Sequence, residues 1–162
     1  FIFNLNSMQD LVAKILLEKQ AVQINPSDPF TWTSGIKSPI YCDNRLLISY
    51  PDAVSTVVLA FKEMVEDMDF DVVAGTATAG IPWAAFLAYE LDKPMVYIRK
   101  KPKEHGTKSQ IEGVMKKGQK VLLVEDLVST GKSSLAAVDA IRKEGGITNM
   151  VAAIFSYGFP IA

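Results

Sequence analysis

The sequence predicts an α/β fold in which a mostly parallel β-sheet is flanked by helices. Short, continuous apolar segments such as VLLV (121–124) alternate with stretches of helical length and periodicity. Strands that are apolar throughout are typical of a parallel sheet, because crossover helices cover both of its faces. With 162 residues, 49% of them hydrophobic and 22% charged, the chain is large enough for a single domain with its own core.

Two helices and a β-ribbon are predicted in the first part of the chain. Ser7 and Asp10 have the spacing of a capping box, and apolar residues recur at helical intervals over about 11–20. The segment 30–45 mixes aromatic and β-branched residues around a Ser-Gly pair and a proline, which favours a small β-ribbon. A second helix of about four turns is predicted over 49–65.

Strands and helices alternate in the rest of the chain. Helices are predicted after the first and third strands, the first of them ending near Leu91, and Gly145-Gly146 ends the second. Ligands of parallel sheets bind beyond the carboxyl ends of the strands, so the loops after Ala74, Arg99 and Val124 are the expected site. The predicted strands are 70–74, 95–99, 121–124 and 150–155.

Composition argues against several classes of function. The formal net charge is -1, so no overall sign bias favours nucleic acid or an anionic membrane as a partner. No apolar run approaches the roughly 18 residues of a membrane helix, and the first ten residues lack the pattern of a signal peptide, which predicts a cytoplasmic protein. The single cysteine, Cys42, is expected to be a packed apolar residue rather than a reactive thiol.

The segment that follows the strand at 121–124 has the composition of a sugar-phosphate site. Glu125 and Asp126 are adjacent carboxylates, which repel each other unless they bind vicinal hydroxyls or a hydrated cation. Hydroxyl residues and a Gly-Lys pair then lead into a helix, whose N–H groups and dipole favour a phosphate. The segment therefore predicts a ribose 5-phosphate site. Its residues are Glu125, Asp126, Leu127, Val128, Ser129, Thr130, Gly131, Lys132 and Ser133.

An ordinary strand-to-helix turn and a nucleotide triphosphate loop are the alternatives for this segment. A plain turn needs neither paired acids nor the sequence GKSS. The triphosphate loop GxxxxGK[ST] matches at Gly131, Lys132 and Ser133, but its first glycine falls on Asp126. A carboxylate there repels a polyphosphate, so we reject an ATPase or a GTPase.

The segment VLLVEDLVSTGKSS (121–134) resembles the fingerprint of type I phosphoribosyltransferases, in which two acids follow an apolar strand and precede a Thr-Gly phosphate loop. The resemblance extends over about 30–157. It implies the Rossmann-like fold of this family as one domain, with a small N-terminal hood carrying a β-ribbon over about 1–48 and an α/β core over about 49–162. Members usually continue with a further strand and helix, so the core is expected to be incomplete at its C-terminal end.

The loop GTATAG (75–80) consists of small and hydroxyl residues, which allow a ligand to approach the backbone closely. Its spacing GxxxxG differs from the dinucleotide fingerprint GxGxxG, and the plain start of a helix explains it equally well. In the resembled family this position holds the diphosphate-binding loop. The residues implied are Thr76, Ala77, Thr78, Ala79 and Gly80.

The segment 99–113, RKKPKEHGTKSQIEG, is predicted to be a functional loop. Over 99–108 five basic side chains are opposed by Glu104 alone, and the segment holds the only histidine, His105. A solvated run of charge is the alternative, but long loops in compact domains are usually functional or disordered. Between two phosphate sites, a lid that closes over a polyanion explains it better.

The same segment matches the catalytic-loop pattern RKxxKxHG of orotate phosphoribosyltransferases. In that family the loop reaches into the site of the neighbouring subunit, which implies a homodimer. The resemblance also implies that these residues stabilise the leaving diphosphate. The catalytic residues implied are Arg99, Lys100, Lys103 and His105.

The segment FTWTSGIKSPIYCDNR (30–45) is similar to the hood of orotate phosphoribosyltransferases, with the core S-G-x-K-S-P at 34–39. Orotate is flat and anionic, so a ribbon backbone with a nearby lysine can bind its amide edge and its carboxylate. Thr33 stands where some members carry a lysine on the diphosphate side, so that contact is not expected here. The orotate contacts implied are Lys37, Tyr41, Cys42 and, from the phosphate loop, Ser129.

The implied reaction transfers the phosphoribosyl group of 5-phospho-α-D-ribose 1-diphosphate to orotate, a step of pyrimidine (UMP) biosynthesis. The resemblance also implies Mg²⁺, held mainly by substrate and water. Two alternatives remain at this point: a purine or uracil phosphoribosyltransferase, and a non-catalytic regulator that senses phosphoribosyl diphosphate. The hood segment disfavours the first, and the intact basic loop disfavours the second.

Overall fold

The computed structural model describes residues 7–32, 35–102 and 109–158. The chain divides into two compact units, Phe1–Ala60 and Phe61–Ala162. Within the described ranges, no helix has both the length and the apolar character needed to cross a membrane.

The described part of the first unit starts at Ser7 and leads into helix α1 (Met8–Glu18), whose start is the predicted one. The side chain of Ser7 caps the helix, because its Oγ accepts a hydrogen bond from Asp10 N at 3.2 Å. Val12 and Leu16, one turn apart, are buried. The helix therefore forms by local capping together with burial of one apolar stripe.

The first unit also contains two separate two-stranded sheets, where the sequence predicted a single ribbon. Strand β1 (Val22–Ile24) pairs antiparallel with β4 (Ile40–Cys42), and β2 (Phe30–Thr31) pairs antiparallel with β3 (Lys37–Ser38). The prediction was right for β2 and β3 but missed β1 as the partner of β4. A strand of three residues is too short to show an alternating pattern, and only its pairing reveals it.

A 3-10 helix (Asn44–Ser49) precedes helix α2 (Pro51–Val65), which confirms the predicted helix of about four turns. Proline suits the first helical position, where the backbone N–H would lack an intrahelical partner. Val57, Phe61 and Val65 recur at intervals of four and are buried. This is the apolar face that the sequence predicted.

The second unit contains a five-stranded sheet in the order β7-β6-β5-β8-β9. The four strands β6, β5, β8 and β9 run parallel, and β7 is antiparallel to β6. This confirms the mostly parallel sheet. Strand β7 lies inside the segment predicted to be a loop, and its two residues are too few to show periodicity. The strands are β5 (Val72–Thr76), β6 (Met95–Ile98), β7 (Ile111–Glu112), β8 (Lys120–Val128) and β9 (Ile147–Ser156).

Strand β8 is longer than the sequence predicted. The prediction ended it at Val124, whereas it continues to Val128. Its pairing with β5 stops at Val124, but β9 provides partners as far as Val128. Glu125 and Asp126 therefore lie in a strand and not in the following loop, because the ladder with β9 holds them in extended conformation.

Helix α3 (Gly80–Glu90) follows β5, and helix α4 (Lys132–Lys143) follows β8. Gly145, with φ +86°, ends the second of these as predicted. Trp83 and Leu87 of α3 are fully buried. A core cluster joins alternate residues of the central strands to α4. It comprises Val72, Ala74, Val96, Ile98, Ile111, Val121, Leu123, Ala137, Val138, Ala140 and Ile141.

Candidate functional site

A cavity of about 420 Å³ lies at the carboxyl edge of the sheet in the second unit. Residues that follow β5, β6 and β8 border it, and these are the three loops predicted from the sequence. They meet because the carboxyl ends of parallel strands lie at one edge of the sheet. The lining residues are Thr76, Ala77, Ile98, Arg99, Lys100, Gln110, Ser129, Thr130, Lys132, Ser133, Ala136 and Ala137.

The cavity brings together predicted residues of all three loops, and the lining also contains residues that the sequence did not indicate. Thr78, Ala79 and Gly80 belong to the loop after β5 but are not part of the lining, and neither are Glu125 and Asp126. Leu127, Val128 and Gly131 do not line it either. The predicted site residues Lys103 and His105 lie outside the described residues, and so does Thr33, where no diphosphate contact was expected.

Gln110 and Ile98 are lining residues that the sequence patterns did not reveal. Ile98 ends a strand, and Gln110 adjoins β7 at the far end of the basic segment. Ala136 and Ala137 of α4 were missed for the same reason. None of these residue types indicates a ligand by itself, so only the tertiary packing places them here.

Helix α4 begins at the cavity without a side-chain cap. Its N-cap is Gly131, with φ +73°, and no side chain of the N-cap accepts from the first turn. The first N–H groups of a helix lack intrahelical partners and carry partial positive charge. Together with the hydroxyl of Ser133 and the ammonium group of Lys132, this end of the helix is suited to an anion.

Glu125 connects β8 to the first turn of α4 and is only 4% exposed. Its Oε1 accepts a hydrogen bond from Asp126 N at 3.1 Å. Its Oε2 accepts from Ser133 Oγ at 3.2 Å and from Ser134 Oγ at 3.5 Å. Burial, reinforced by the carboxyl of Asp126, raises the pKa of Glu125 to about 7. The Glu125 carboxyl is therefore partly protonated at neutral pH.

The loop after β5 is shaped by close backbone packing. A Cβ atom on Gly75 would come within 2.9 Å of neighbouring atoms, and one on Gly80 would lie 2.6 Å from Val124 O. Real Cβ atoms do not approach so closely, so both positions require glycine. Ala77 N donates to Ile98 O at 2.9 Å, which fixes the loop to the end of β6. The start of α3 is thereby held against β8.

The basic segment begins at the cavity with Arg99 and Lys100. Arg99 N donates to Gln110 O at 2.8 Å, and Gln110 Nε2 donates to Arg99 O at 3.2 Å. The guanidinium of Arg99 lies 3.7 Å from the carboxylate of Glu112. These contacts join the two ends of the segment and keep cationic groups beside the cavity.

The orotate contacts implied by the resemblance lie in the first unit, except for Ser129. Lys37 is exposed in β3, and Tyr41 is exposed in β4 with its ring centroid 5.6 Å from that of Phe30. Cys42 is buried, and its Sγ donates to Asn44 Oδ1 at 3.2 Å. The expectation of a packed thiol is confirmed.

The capacity of the site to bind a metal depends on its carboxylates. Among the described residues, no group of three or more His, Cys, Asp or Glu side chains is placed to hold a metal ion. A cation held by an all-protein cage is not indicated there. The adjacent carboxyls of Glu125 and Asp126, near the end of β8, offer oxygen ligands close to the phosphate loop in sequence.

Comparisons with known proteins agree with this geometry. Residues 56–155 match the family model of the phosphoribosyl transferase domain. The chain is 54% identical over 153 residues to the orotate phosphoribosyltransferase of Coxiella burnetii, and this alignment covers 93% of the chain and 73% of that relative. More than half of the chain is thus matched at high identity.

Two solved structures have the same fold. The crystal structure of orotate phosphoribosyltransferase from Aeropyrum pernix matches with a TM-score of 0.82 and 34% identity, over 93% of this chain and 84% of that one. The Mycobacterium tuberculosis H37Rv orotate phosphoribosyltransferase in complex with 5-phospho-α-D-ribosyl 1-diphosphate matches with a TM-score of 0.71 and 26% identity, over 92% and 83%. The chain therefore belongs to the phosphoribosyltransferase family and, within it, to the orotate phosphoribosyltransferases.

Proposed function

We propose that the cavity binds 5-phospho-α-D-ribose 1-diphosphate and that the enzyme transfers its phosphoribosyl group to orotate, which forms orotidine 5′-phosphate and releases diphosphate. The observation that carries the proposal is the buried Glu125 carboxyl bonded to Ser133 at the uncapped start of α4. A carboxylate accepts hydrogen bonds from the ribose hydroxyls, and the start of a helix binds the phosphate. A ribose 5-phosphate requires both. The named relatives support the same donor and acceptor.

The 5-phosphate binds at the first turn of α4. Ser129 and Thr130 provide hydroxyl donors that line the cavity, and Lys132 provides a positive charge. Ser133, whose hydroxyl donates to Glu125, contributes its backbone N–H. The helix N–H groups complete the cradle at the positive end of the dipole. This assignment explains why Gly131 stands where a capping side chain would otherwise compete for those N–H groups.

The ribose hydroxyls bind to the carboxylates that follow the apolar part of β8. A carboxylate accepts hydrogen bonds most strongly when ionised, so the Glu125 form that binds the ribose is the deprotonated one. Its raised pKa places this ionisation near neutral pH. Asp126, half-buried on the same strand, is the second acceptor.

The leaving diphosphate binds between the glycine-bounded loop after β5 and the basic segment. Gly75 and Gly80 allow this loop to pack closely against α3 and β8, and Thr76 and Ala77 between them line the cavity. Arg99 and Lys100 line the cavity and stabilise the charge that develops as the bond to C1 breaks. Lys103 and His105 share this role by resemblance to the family's catalytic loop. The transition state has oxocarbenium character and needs no protein nucleophile.

Mg²⁺ is the metal we propose for this reaction. The donors fit an ion held mainly by substrate and water, since Asp126 and Glu125 offer carboxylate oxygens but no closed cage exists among the described residues. When bound, the ion neutralises diphosphate charge. Asp126 is the more accessible of the two carboxyls, because it is half-buried whereas Glu125 is only 4% exposed.

For orotate we propose Lys37, the main chain of Tyr41 and Cys42, and Ser129, on the resemblance of 30–45 and of the phosphate loop to the family. The buried Cys42 thiol, bonded to Asn44, leaves only its main chain for this purpose.

We also propose a cytoplasmic homodimer in which the basic loop acts in the partner's site. Mixing inactive Lys103→Ala and Glu125→Ala proteins restores activity if the loop is shared, and no activity reappears if each subunit is self-sufficient.

One assay tests the reaction. The protein is given phosphoribosyl diphosphate and Mg²⁺ with orotate, uracil, adenine or hypoxanthine in turn, and diphosphate release is measured. We expect release with orotate alone. Release only with a purine would assign another acceptor, and no release with any base would favour a regulator that binds the donor without turnover.

A further inference from the structure

Both main-chain polar groups of Arg99 are bonded to a single residue, Gln110. Arg99 N donates to Gln110 O at 2.8 Å, and Gln110 Nε2 donates to Arg99 O at 3.2 Å. The ladder between β6 and β7 ends one pair earlier, at Ile98 and Ile111. A hydrogen-bonded pair of antiparallel residues normally exchanges two main-chain bonds. At Arg99 the second of these bonds comes from the side chain of Gln110.

The acceptor fixes the orientation of the Gln110 amide. A carbonyl oxygen only accepts, so the amide nitrogen and not the amide oxygen faces Arg99. Gln110 is half-buried and lines the cavity together with Arg99. The end of an accessible strand does not require such a side chain, because water can donate to an exposed carbonyl equally well. The amide therefore needs an explanation beyond closing the ladder.

The side-chain contact of Arg99 is weaker than its main-chain contacts. Its guanidinium lies 3.7 Å from the carboxylate of Glu112, and 37% and 25% of the two side chains are exposed. Ion pairs that water reaches contribute little, because solvent screens them. The position of the Arg99 main chain therefore has the larger part in deciding where the guanidinium lies.

We propose that Gln110 is a positioning residue, whose side-chain amide fixes the main chain of Arg99 so that the guanidinium meets the leaving diphosphate. The proposal rests on the proposed function, in which Arg99 stabilises that group. It gives a role to a cavity residue that the sequence patterns did not reveal. Gln110 acts through Arg99 and does not itself contact the substrate.

The hydrogen bond limits the size of the effect. Removing the amide donor lowers the population of correctly placed Arg99 by no more than the net contribution of one neutral hydrogen bond, a factor of about 2 to 10. Removing a charge-stabilising donor outright costs about 10²- to 10³-fold in rate. Loss of the Gln110 amide should therefore be much milder than loss of the Arg99 guanidinium.

A double-mutant cycle tests whether Gln110 acts through Arg99. The variants are Gln110→Met, which keeps a side chain of similar length without a donor, Arg99→Ala, and the two combined. Each is measured for thermal unfolding, for affinity toward inorganic diphosphate with Mg²⁺, and for kcat and KM with phosphoribosyl diphosphate and orotate.

Gln119→Met is the matched control. Gln119 is also half-buried, and its side chain is also bonded to the main chain, since its Oε1 accepts from Lys116 N at 2.6 Å. It directly precedes β8, at the opposite end of the strand from the cavity, and does not line the cavity. This variant therefore removes a comparable hydrogen bond away from Arg99.

We expect Gln110→Met to lower kcat and the affinity for diphosphate by about 2- to 10-fold, while KM for orotate stays within about 2-fold of the wild type. In the Arg99→Ala background the same substitution should have no further effect, because the group that it positions is absent. Gln119→Met should keep wild-type kcat and diphosphate affinity.

Wild-type kcat and diphosphate affinity in Gln110→Met overturn the proposal. An equal loss with and without the Arg99 guanidinium overturns it too, because Gln110 would then act on the ligand directly or through stability. A matching loss in Gln119→Met would make the effect a general one and has the same meaning.

The two proposals can fail separately. If no base supports diphosphate release but the coupling appears in the affinity for inorganic diphosphate, the proposed reaction fails and the role of Gln110 stands. Release with orotate without coupling between Gln110 and Arg99 supports the reaction and overturns the positioning role. If the wild type neither binds nor releases diphosphate, both are overturned.

Discussion

The loops after β5 and β8 border one cavity but are built by opposite means. The loop after β8 and the start of α4 present functional side chains, among them the hydroxyl of Ser133, which is bonded to the buried Glu125 carboxyl. The loop after β5, GTATAG, has no charged residue and is defined by close backbone approach, with Gly80 packed on Val124 O. The first depends on which side chains are present, and the second on which are absent.

This difference has a practical meaning for substitutions. A polar contact can be weakened in steps, because a neutral or shorter side chain keeps part of the interaction. A glycine that packs within van der Waals distance of backbone has no such intermediate. The loop after β5 also packs on β8 at Glu125, since a Cβ on Gly80 would lie 3.4 Å from the Cα of Glu125. Disturbing the loop after β5 therefore disturbs both.

The largest effect is expected for Gly80→Ala, which tests whether the loop after β5 depends on backbone packing. The added methyl would lie 2.6 Å from Val124 O and must push α3 away from β8. A displacement of about 1 Å at a catalytic site costs on the order of 10²-fold in rate. We expect a loss of at least that size in kcat/KM, with folding checked by circular dichroism.

Gly118→Ala is the matched control, because Gly118 has φ +85° and open space around the new Cβ. It should lower stability by about 1 kcal/mol through backbone strain and leave kcat/KM unchanged. Wild-type kinetics in Gly80→Ala would contradict the packing explanation.

The next largest effect is expected at the Glu125 carboxyl of β8. If ionised Glu125 accepts the ribose hydroxyls, wild-type kcat/KM for the donor rises as pH increases through about 7, where this carboxyl loses its proton. Glu125→Gln should lower kcat/KM above that pH by about 10- to 100-fold and remove the rise, because an amide is neutral at every pH. The exposed Glu144, outside the cavity, provides the control variant Glu144→Gln. If kcat/KM of Glu125→Gln still rises with pH through about 7, the rise is caused by another titrating group.

Glu125→Gln should lower kcat/KM but raise the free energy of unfolding above neutral pH. The pKa of Glu125 is about 7 in the folded protein and near 4.5 when unfolded, so the folded state retains a proton that the unfolded chain has lost between these values. Stability therefore falls as pH rises from about 4.5 to 7, by at most about 3 kcal/mol. Glu125→Gln should be more stable than the wild type at pH 8 and equal to it below pH 4.5 in urea unfolding. A constant difference at all pH values would exclude ionisation as its cause.

The smallest effect is expected for Ser133→Ala, which removes one donor from the Glu125 carboxyl. The hydroxyl of Ser133, 3.2 Å from Oε2, lowers the pKa of Glu125 against the larger effect of burial. Without it the rise in kcat/KM should move to higher pH, with a loss of about 2- to 10-fold at neutral pH. Ser133→Thr keeps the hydroxyl and should keep the wild-type profile. A shift to lower pH would show that Ser133 does not stabilise the carboxylate.

The two loops also differ in how far the sequence predicted them. Glu125, Asp126 and the hydroxyl residues from Ser129 to Ser133 form a polar pattern that an apolar core does not require, so the sugar-phosphate interpretation followed from residue types. The wrong detail was the end of β8 at Val124, because pairing with β9 continues the strand. For GTATAG, the sequence did not distinguish the plain start of a helix from a diphosphate-binding loop. Small and hydroxyl residues are suited to both structures.

By itself the sequence determined the mostly parallel sheet, the order of its helices, the location of the three loops and the chemical character of the phosphate loop. Periodicity and pairs of polar residues involve residues that are close in sequence, so they can be recognised from the sequence alone. The tertiary structure alone decided the pairing of β1 with β4, the short strand β7, the place of Gln110 at the cavity and the bond from its side chain to Arg99 O. These depend on distances between residues far apart in the chain, and only packing fixes such distances.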